Sequence, residues 1–262
     1  MSLQIPYHNV FSKRNASPSP KWLIISRHLT THARFPLPAF STAKPTFVSM
    51  YNMAHFKARD PREVTRFMRQ NAFATLVGCG ADSFPVATHV PVLIDENKGQ
   101  LCITGHIMKQ TDHHNSFLHN NNVLAIFNGP HAYISAAWYP QPQQAGTWNY
   151  MTVHAKGSLT FLDDAALLHL LQRTTAHFEN NDASPALVEK MPEEYVHRLM
   201  KAIVAFEIQV TQLDHVFKLS QNKDAATFNN IIAQLGAQDT FEDDLPKQMQ
   251  RHYPPNPKKE PA

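Results

Sequence analysis

The sequence predicts a mainly β protein, an antiparallel barrel with helices added, and three observations carry that reading. Six or more short strand-like segments recur between residues 73 and 213, with Val123–Phe127 and Ala202–Leu213 rich in Val, Ile and Phe. Most of them are joined by turn residues rather than by helices. The longer helical patterns gather towards the C-terminus, which argues against a parallel α/β sheet.

Taken in order, Asp60-Pro61-Arg62-Glu63 supplies an N-cap, a proline at the first helical position and an acid at the third, so a helix should run to about Gln70. Phe73–Val77, Pro85–Ile94 and Leu101–Gly105 read as strands, separated by Gly78, Gly80 and Asp82 and by Asn97-Lys98-Gly99. A short helix is expected near Asp112–Asn120, then strands at Val123–Phe127, Ala132–Ser135, Trp148–Phe161 and Ala202–Leu213. Helical patterns occupy Asp163–Phe178, Pro192–Lys201, Asp224–Leu235 and Phe241–Arg251. No internal repeat is visible.

Residues 1–49 are rich in Ser, Pro, Arg and His and have one short apolar run, Trp22-Leu-Ile-Ile25. They do not read as a domain. Their composition fits a transit peptide or an upstream stretch ahead of a start at Met50 or Met53. The expected organisation is therefore an extension over 1–49, one domain with C-terminal helices over 50–250, and a proline-rich, disordered tail over 251–262.

The 262 residues, 43% of them hydrophobic, can bury a full core. No run of about 18 apolar residues is present to form a membrane-spanning helix. Cys79 and Cys102 form no C-x-x-C pair, which fits a reducing cytoplasm and gives no disulfide framework. The net charge of +3 is unevenly spread, because residues 1–49 hold six Lys and Arg and no acid, leaving 18 basic against 21 acidic residues in 50–262. The body of the chain thus lacks the net positive charge expected of a nucleic-acid binder.

Five segments interrupt apolar strands with polar and aromatic residues: Ala87-Thr-His-Val-Pro91, Gly105-His-Ile-Met-Lys109, His131–Tyr139, Gly146-Thr-Trp-Asn-Tyr150 and Phe217-Lys-Leu-Ser-Gln-Asn222. Singly, each has an ordinary explanation, since aromatics near strand ends commonly fill a core. Together they supply what a flavin nucleotide needs. Lys218, Ser220, Lys109 and Thr88 suit a phosphate dianion. Gln221, Asn222 and Asn149 suit ribityl hydroxyls, while Tyr133, Ser135 and Trp138 suit a flat ring with a polar edge.

In this order and at about this spacing, the segments resemble the PaiB family of FMN-binding negative transcriptional regulators, from Met50 to roughly Leu235. Thr147-Trp-Asn-Tyr150, Tyr133-Ile-Ser135 with Trp138-Tyr139, and Lys218-Leu-Ser-Gln-Asn222 carry the likeness. The resemblance implies an FMN-binding split β-barrel related to pyridoxamine-phosphate oxidases and flavin reductases, a homodimer, FMN as cofactor, and DNA or another regulatory partner. A second copy would cover the open edges of a split barrel. The implied cofactor-binding set is Thr88, His89, His106, Lys109, Tyr133, Ser135, Trp138, Thr147, Trp148, Asn149, Lys218, Ser220, Gln221 and Asn222. The chain departs from the family pattern at Met108-Lys-Gln-Thr-Asp112, Ala136-Ala137, Gly146 and Lys223. Lys109, standing where the family has arginine, would act as a point charge without a bidentate fork.

Two other readings stay open. A flavin-dependent oxidoreductase would need a nicotinamide partner, for which the sequence has no Rossmann glycine fingerprint; it has no recognisable helix-turn-helix either. Haem bound through one of sixteen histidines is the other, because split-barrel relatives include haem-degrading proteins. A metal site is not expected from His106, His113, His114 and His119, which form no H-E-x-x-H or Cys/His set.

Overall fold

A computed structural model describes residues 51–97, 99–141, 143–237 and 244–255. The expected extension over 1–49 and the end of the tail lie outside them. All the described residues fall in one compact unit, Thr46–Ala262.

Six antiparallel strands, β1 (Phe73–Cys79), β2 (Pro85–Asn97), β3 (Gln100–Met108), β4 (Asn122–Ile134), β5 (Thr147–Phe161) and β6 (Ile203–Lys218), form a barrel in the order β1-β2-β3-β6-β5-β4. The alternation of each strand sends one set of side chains inward. Ala74, Leu76, Val90, Val92, Ile103, Ala125, Phe127, Val153, Phe206 and Phe217 meet there as the main core. The seam that closes the barrel is short, pairing Thr75–Gly78 of β1 with Ile126–Val123 of β4. Beyond Ile126, β4 pairs with β5 alone, which leaves one side of its second half open, as expected of a split barrel.

Helix α1 (Pro61–Gln70) starts as the sequence requires, with the Asp60 carboxylate accepting from the Arg62 N–H at 2.9 Å, and buries Val64, Phe67 and Met68. Next come α2 (Asp112–His119), α3 (Asp164–Glu179), α4 (Glu193–Met200), α5 (Ala225–Gly236) and α6 (Leu245–His252). A second core, of Leu93, Ala205, Leu167, Leu170, Val196 and Met200, fixes α3 and α4 on the outer face of the sheet. Phe228, Ile231, Leu235, Leu245 and Met249 add α5 and α6 to the main core.

Three expectations change. The two strands expected at Val123–Phe127 and Ala132–Ser135 are one, interrupted by a register shift between Asn128 and His131. Gly129-Pro130 lies in that shift, where a proline costs no ladder bond. Strand β6 continues five residues past Leu213, because a shift opposite Lys156/Gly157 leaves exposed Thr211 and Gln212 that mask the alternation. At Gly157 an added Cβ would lie 2.3 Å from the Gln209 carbonyl oxygen, so only glycine fits. The tail boundary also moves. Arg251 and His252 complete α6, and Tyr253 stacks on Phe228 with ring centroids 3.8 Å apart.

Candidate functional site

Thr147 opens β5 and Lys218 closes β6, and the register pairing Tyr150 with Lys218 brings these ends together. Beyond Lys218 the chain buries Leu219 and turns sharply, with Ser220 in the left-handed region at φ 62° and the Lys223 N–H donating to the Ser220 carbonyl at 3.1 Å. The turn returns Ser220, Asn222 and Lys223 to the side of Lys218. With Thr147 and Asn149 from β5, Tyr139, and Tyr51, Met53, His55 and Phe56, they line a cleft of about 210 Å³.

Below the cleft lies a closed polar pair. The fully buried Asn149 donates from Nδ2 to Ser220 Oγ at 3.0 Å, and Ser220 Oγ donates back to Asn149 Oδ1 at 3.1 Å. Gln221 is spent on the turn itself: its Oε1 accepts from the Leu219 N–H at 2.7 Å and its Nε2 donates to the Phe217 carbonyl. The Lys218 ammonium donates to Thr147 Oγ1 and, at 2.9 Å, to the Trp148 carbonyl, which uses two of its three protons.

Burial pushes the Lys218 pKa down, and the Lys223 ammonium pushes it further the same way. Lys223 also lies 5.1 Å from the centroid of the Tyr139 ring. Two like charges held together beside hydroxyls make a place where an anion removes a repulsion and takes up unspent donors. The residues present therefore fit the phosphate end of a nucleotide. The cleft is smaller than the roughly 300–1,000 Å³ usual for whole ligands, so the remainder needs other space.

That space adjoins. A cavity of about 530 Å³ is lined by Asn128, Gly129 and His131 of β4, by Tyr150, Met151, Thr152 and His154 of β5, by Val216 of β6 and again by Tyr51. Burial and the neighbouring Tyr51 push the Tyr150 phenol pKa up. Burial, the larger effect, pulls His154 down despite Asp214. Beside this wall, on the outer face, Tyr133 and Trp148 are exposed and meet edge to face at 5.9 Å.

Of the residues the sequence pointed to, Thr147, Asn149, Lys218, Ser220 and Asn222 meet in the cleft. Thr88, His89, His106 and Lys109, on or just after β2 and β3, line neither cavity. His89 instead stacks against Phe73, and burial lowers the pKa of His106. Ser135 caps a 3-10 turn by accepting from the Ala137 N–H at 3.2 Å, and the Trp138 carbonyl accepts from Asn230. Among the described residues, no three His, Cys, Asp or Glu side chains are grouped to hold a metal. Sequence reasoning missed the contribution of Tyr51, Met53, His55 and Phe56. The one available signal was the cluster of rings Tyr51, His55 and Phe56 shortly ahead of the capped α1.

Residues 50–212 match the family described as "Putative FMN-binding domain". That stretch contains Thr147, Trp148, Asn149 and the whole larger cavity except Val216, and ends before Lys218. Over 186 residues the chain is 33% identical to the Protease synthase and sporulation protein PAI 2 of Bacillus subtilis, covering 71% of this chain and 89% of that one. An uncharacterised protein of Emericella nidulans is 24% identical over 184 residues, 56% of this chain and 73% of the other. Among solved structures, the FAD and haem binding protein from Mycobacterium smegmatis is similar at a TM-score of 0.46 and 12% identity, over 68% of this chain and 78% of that chain. On the family match and the Bacillus relative together, the chain belongs to the PaiB family of FMN-binding proteins.

Proposed function

We propose that this protein is a homodimeric, FMN-binding negative regulator of transcription, and that its cofactor's phosphate is held by Lys218 with Lys223, Thr147 and Asn222. The observation that carries the site is the convergence of Lys218 and Lys223 on one cleft beside hydroxyl and amide groups. Bound FMN supplies a redox-active ring. The chain's own residues bind and orient it: Lys218 neutralises, while Asn149 and Ser220 keep the turn in place.

The regulatory role is supported by the resemblance to the PaiB family and by the relative named Protease synthase and sporulation protein PAI 2, rather than by a DNA-reading motif in this chain. Following NAD(P)H oxidation with bound and free flavin separates this role from that of an oxidoreductase. Steady turnover of bound flavin by a nicotinamide would overturn it.

The phosphate assignment has its own test. A charge-assisted hydrogen bond contributes roughly 1.5–3 kcal/mol, so Lys218→Met should weaken FMN binding on the order of ten- to a hundredfold. Riboflavin, which lacks the phosphate, should bind the variant as it binds the parent. Fluorescence titration of both flavins decides the matter, and equal losses for the two would reject the assignment.

A further inference from the structure

Tyr51 is shared by both cavities, lining the 530 Å³ space on the outer face and the 210 Å³ cleft at the strand ends. Its segment is anchored from below. The Phe56 ring is buried and stacks on Tyr51 with centroids 5.7 Å apart and planes 18° from parallel. The chain then forms a 3-10 turn at Ala54–Phe56, in which the Phe56 N–H donates to the Met53 carbonyl at 2.9 Å. Directly after it, Lys57 Nζ donates to the His215 carbonyl at 2.7 Å, and the Ala58 N–H donates to His215 Nε2 at 2.8 Å. This fixes the segment on β6, while the Tyr51 side chain stays half exposed over the junction. Tyr150 lines the larger cavity with it, so Tyr51 borders that space as well as the cleft.

A flavin nucleotide has three parts in a line: a flat ring, a chain of hydroxyls and a phosphate. The cleft takes the charged end, and the larger cavity, lined by Tyr150, His131 and Met151, offers the volume and walls a ring requires. What lies between the two must face the hydroxyl chain.

We propose that Tyr51 is a flavin-contacting residue whose phenol hydroxyl hydrogen-bonds the ribityl chain where it passes from the larger cavity into the Lys218 cleft. This rests on the phosphate assignment above and extends the site to the segment ahead of α1. A phenol both donates and accepts, which suits a run of hydroxyls.

The test uses the full chain with Tyr51→Phe, which keeps the ring on Phe56 and removes only the hydroxyl. Three flavins are titrated by fluorescence: FMN, riboflavin, and an isoalloxazine with no ribityl chain. Loss of one neutral hydrogen bond should weaken FMN and riboflavin alike, by about three- to tenfold, and leave the third flavin unchanged. Unchanged affinity for all three, or an equal loss for all three, overturns the proposal. Lys218→Met, titrated alongside, separates the two claims. If that variant loses FMN and Tyr51→Phe loses nothing, Tyr51 is wrong and the phosphate site stands. If Lys218→Met loses nothing, the phosphate site is wrong. An unchanged thermal midpoint in Tyr51→Phe, together with the affinity loss, identifies contact with the ligand rather than support of the fold.

Discussion

At the scale of single residues, the site depends on groups already satisfied within the protein. Ser220 holds a left-handed φ of 62° without being glycine, a conformation that costs about 1–2 kcal/mol for a residue with a Cβ. Its hydroxyl offsets this by closing the pair with Asn149, which is otherwise left with the Met249 sulfur 3.5 Å from Nδ2. Ser220→Ala keeps the strain and strands a buried amide, so it should cost roughly 1–3 kcal/mol in a urea denaturation experiment. A midpoint equal to the parent's would show that the pair does not support the turn. The chemistry of this corner was legible in the sequence as residue types, Lys218, Ser220, Gln221 and Asn222 being polar groups in an apolar run. Their division of labour was not. Gln221 bonds only backbone within the turn, and that assignment follows from a sharp turn that no periodicity announces.

At the scale of elements, the segment ahead of α1 is tied to β6 through a histidine that must stay neutral. His215 accepts from the Ala58 N–H, and its pKa is lowered from 6.5 to about 4, by burial first and by Lys57 second. As the pH falls below 6.5, the unfolded chain takes up this proton before the folded one does. The contribution is therefore present above about 6.5 and is lost as the pH drops towards 4. Burial lowers His106, His154 and His252 in the same direction. His215→Gln, which can still accept from Ala58, should show a smaller fall in thermal midpoint between pH 7 and pH 5 than the parent. Equal falls would place the acid sensitivity elsewhere. This tie could not be read from the sequence, because it joins residues 157 positions apart. What could be read were the strands and caps, whose signals are local: the Asp60-Pro61 start of α1 is one, and the alternation of β1 and β2 is another. Reading failed where a register shift broke the alternation, at Asn128–His131 and opposite Lys156/Gly157.

At the scale of the whole molecule, the barrel has two unequal outer surfaces. Helices α3 and α4 pack over the β3 and β6 side, with Leu93 of β2 in the same cluster. Elsewhere on the barrel Tyr133 of β4 and Trp148 of β5 are exposed beside His131 of the larger cavity, and Phe73 of β1 is exposed against His89. Exposed aromatic side chains such as Tyr133 and Trp148 are better covered than left in water, and a two-fold axis would bring the same patch of both copies together. Beyond the short β1–β4 seam, His131–Ile134 of β4 pair with β5 alone, so a second copy could cover this strand edge as well as the exposed rings beside it. The expected outcome in light scattering at micromolar concentration, with flavin bound, is a mass about twice the 29.7 kDa of the chain. Trp148→Asp would put a charge at the centre of that face and should return the mass to that of one chain, while the fold survives because Trp148 contributes nothing to the buried core. Flavin affinity should fall with dissociation if the partner completes the larger cavity. A single-chain mass for the parent would remove the dimer and leave the aromatic face to another partner.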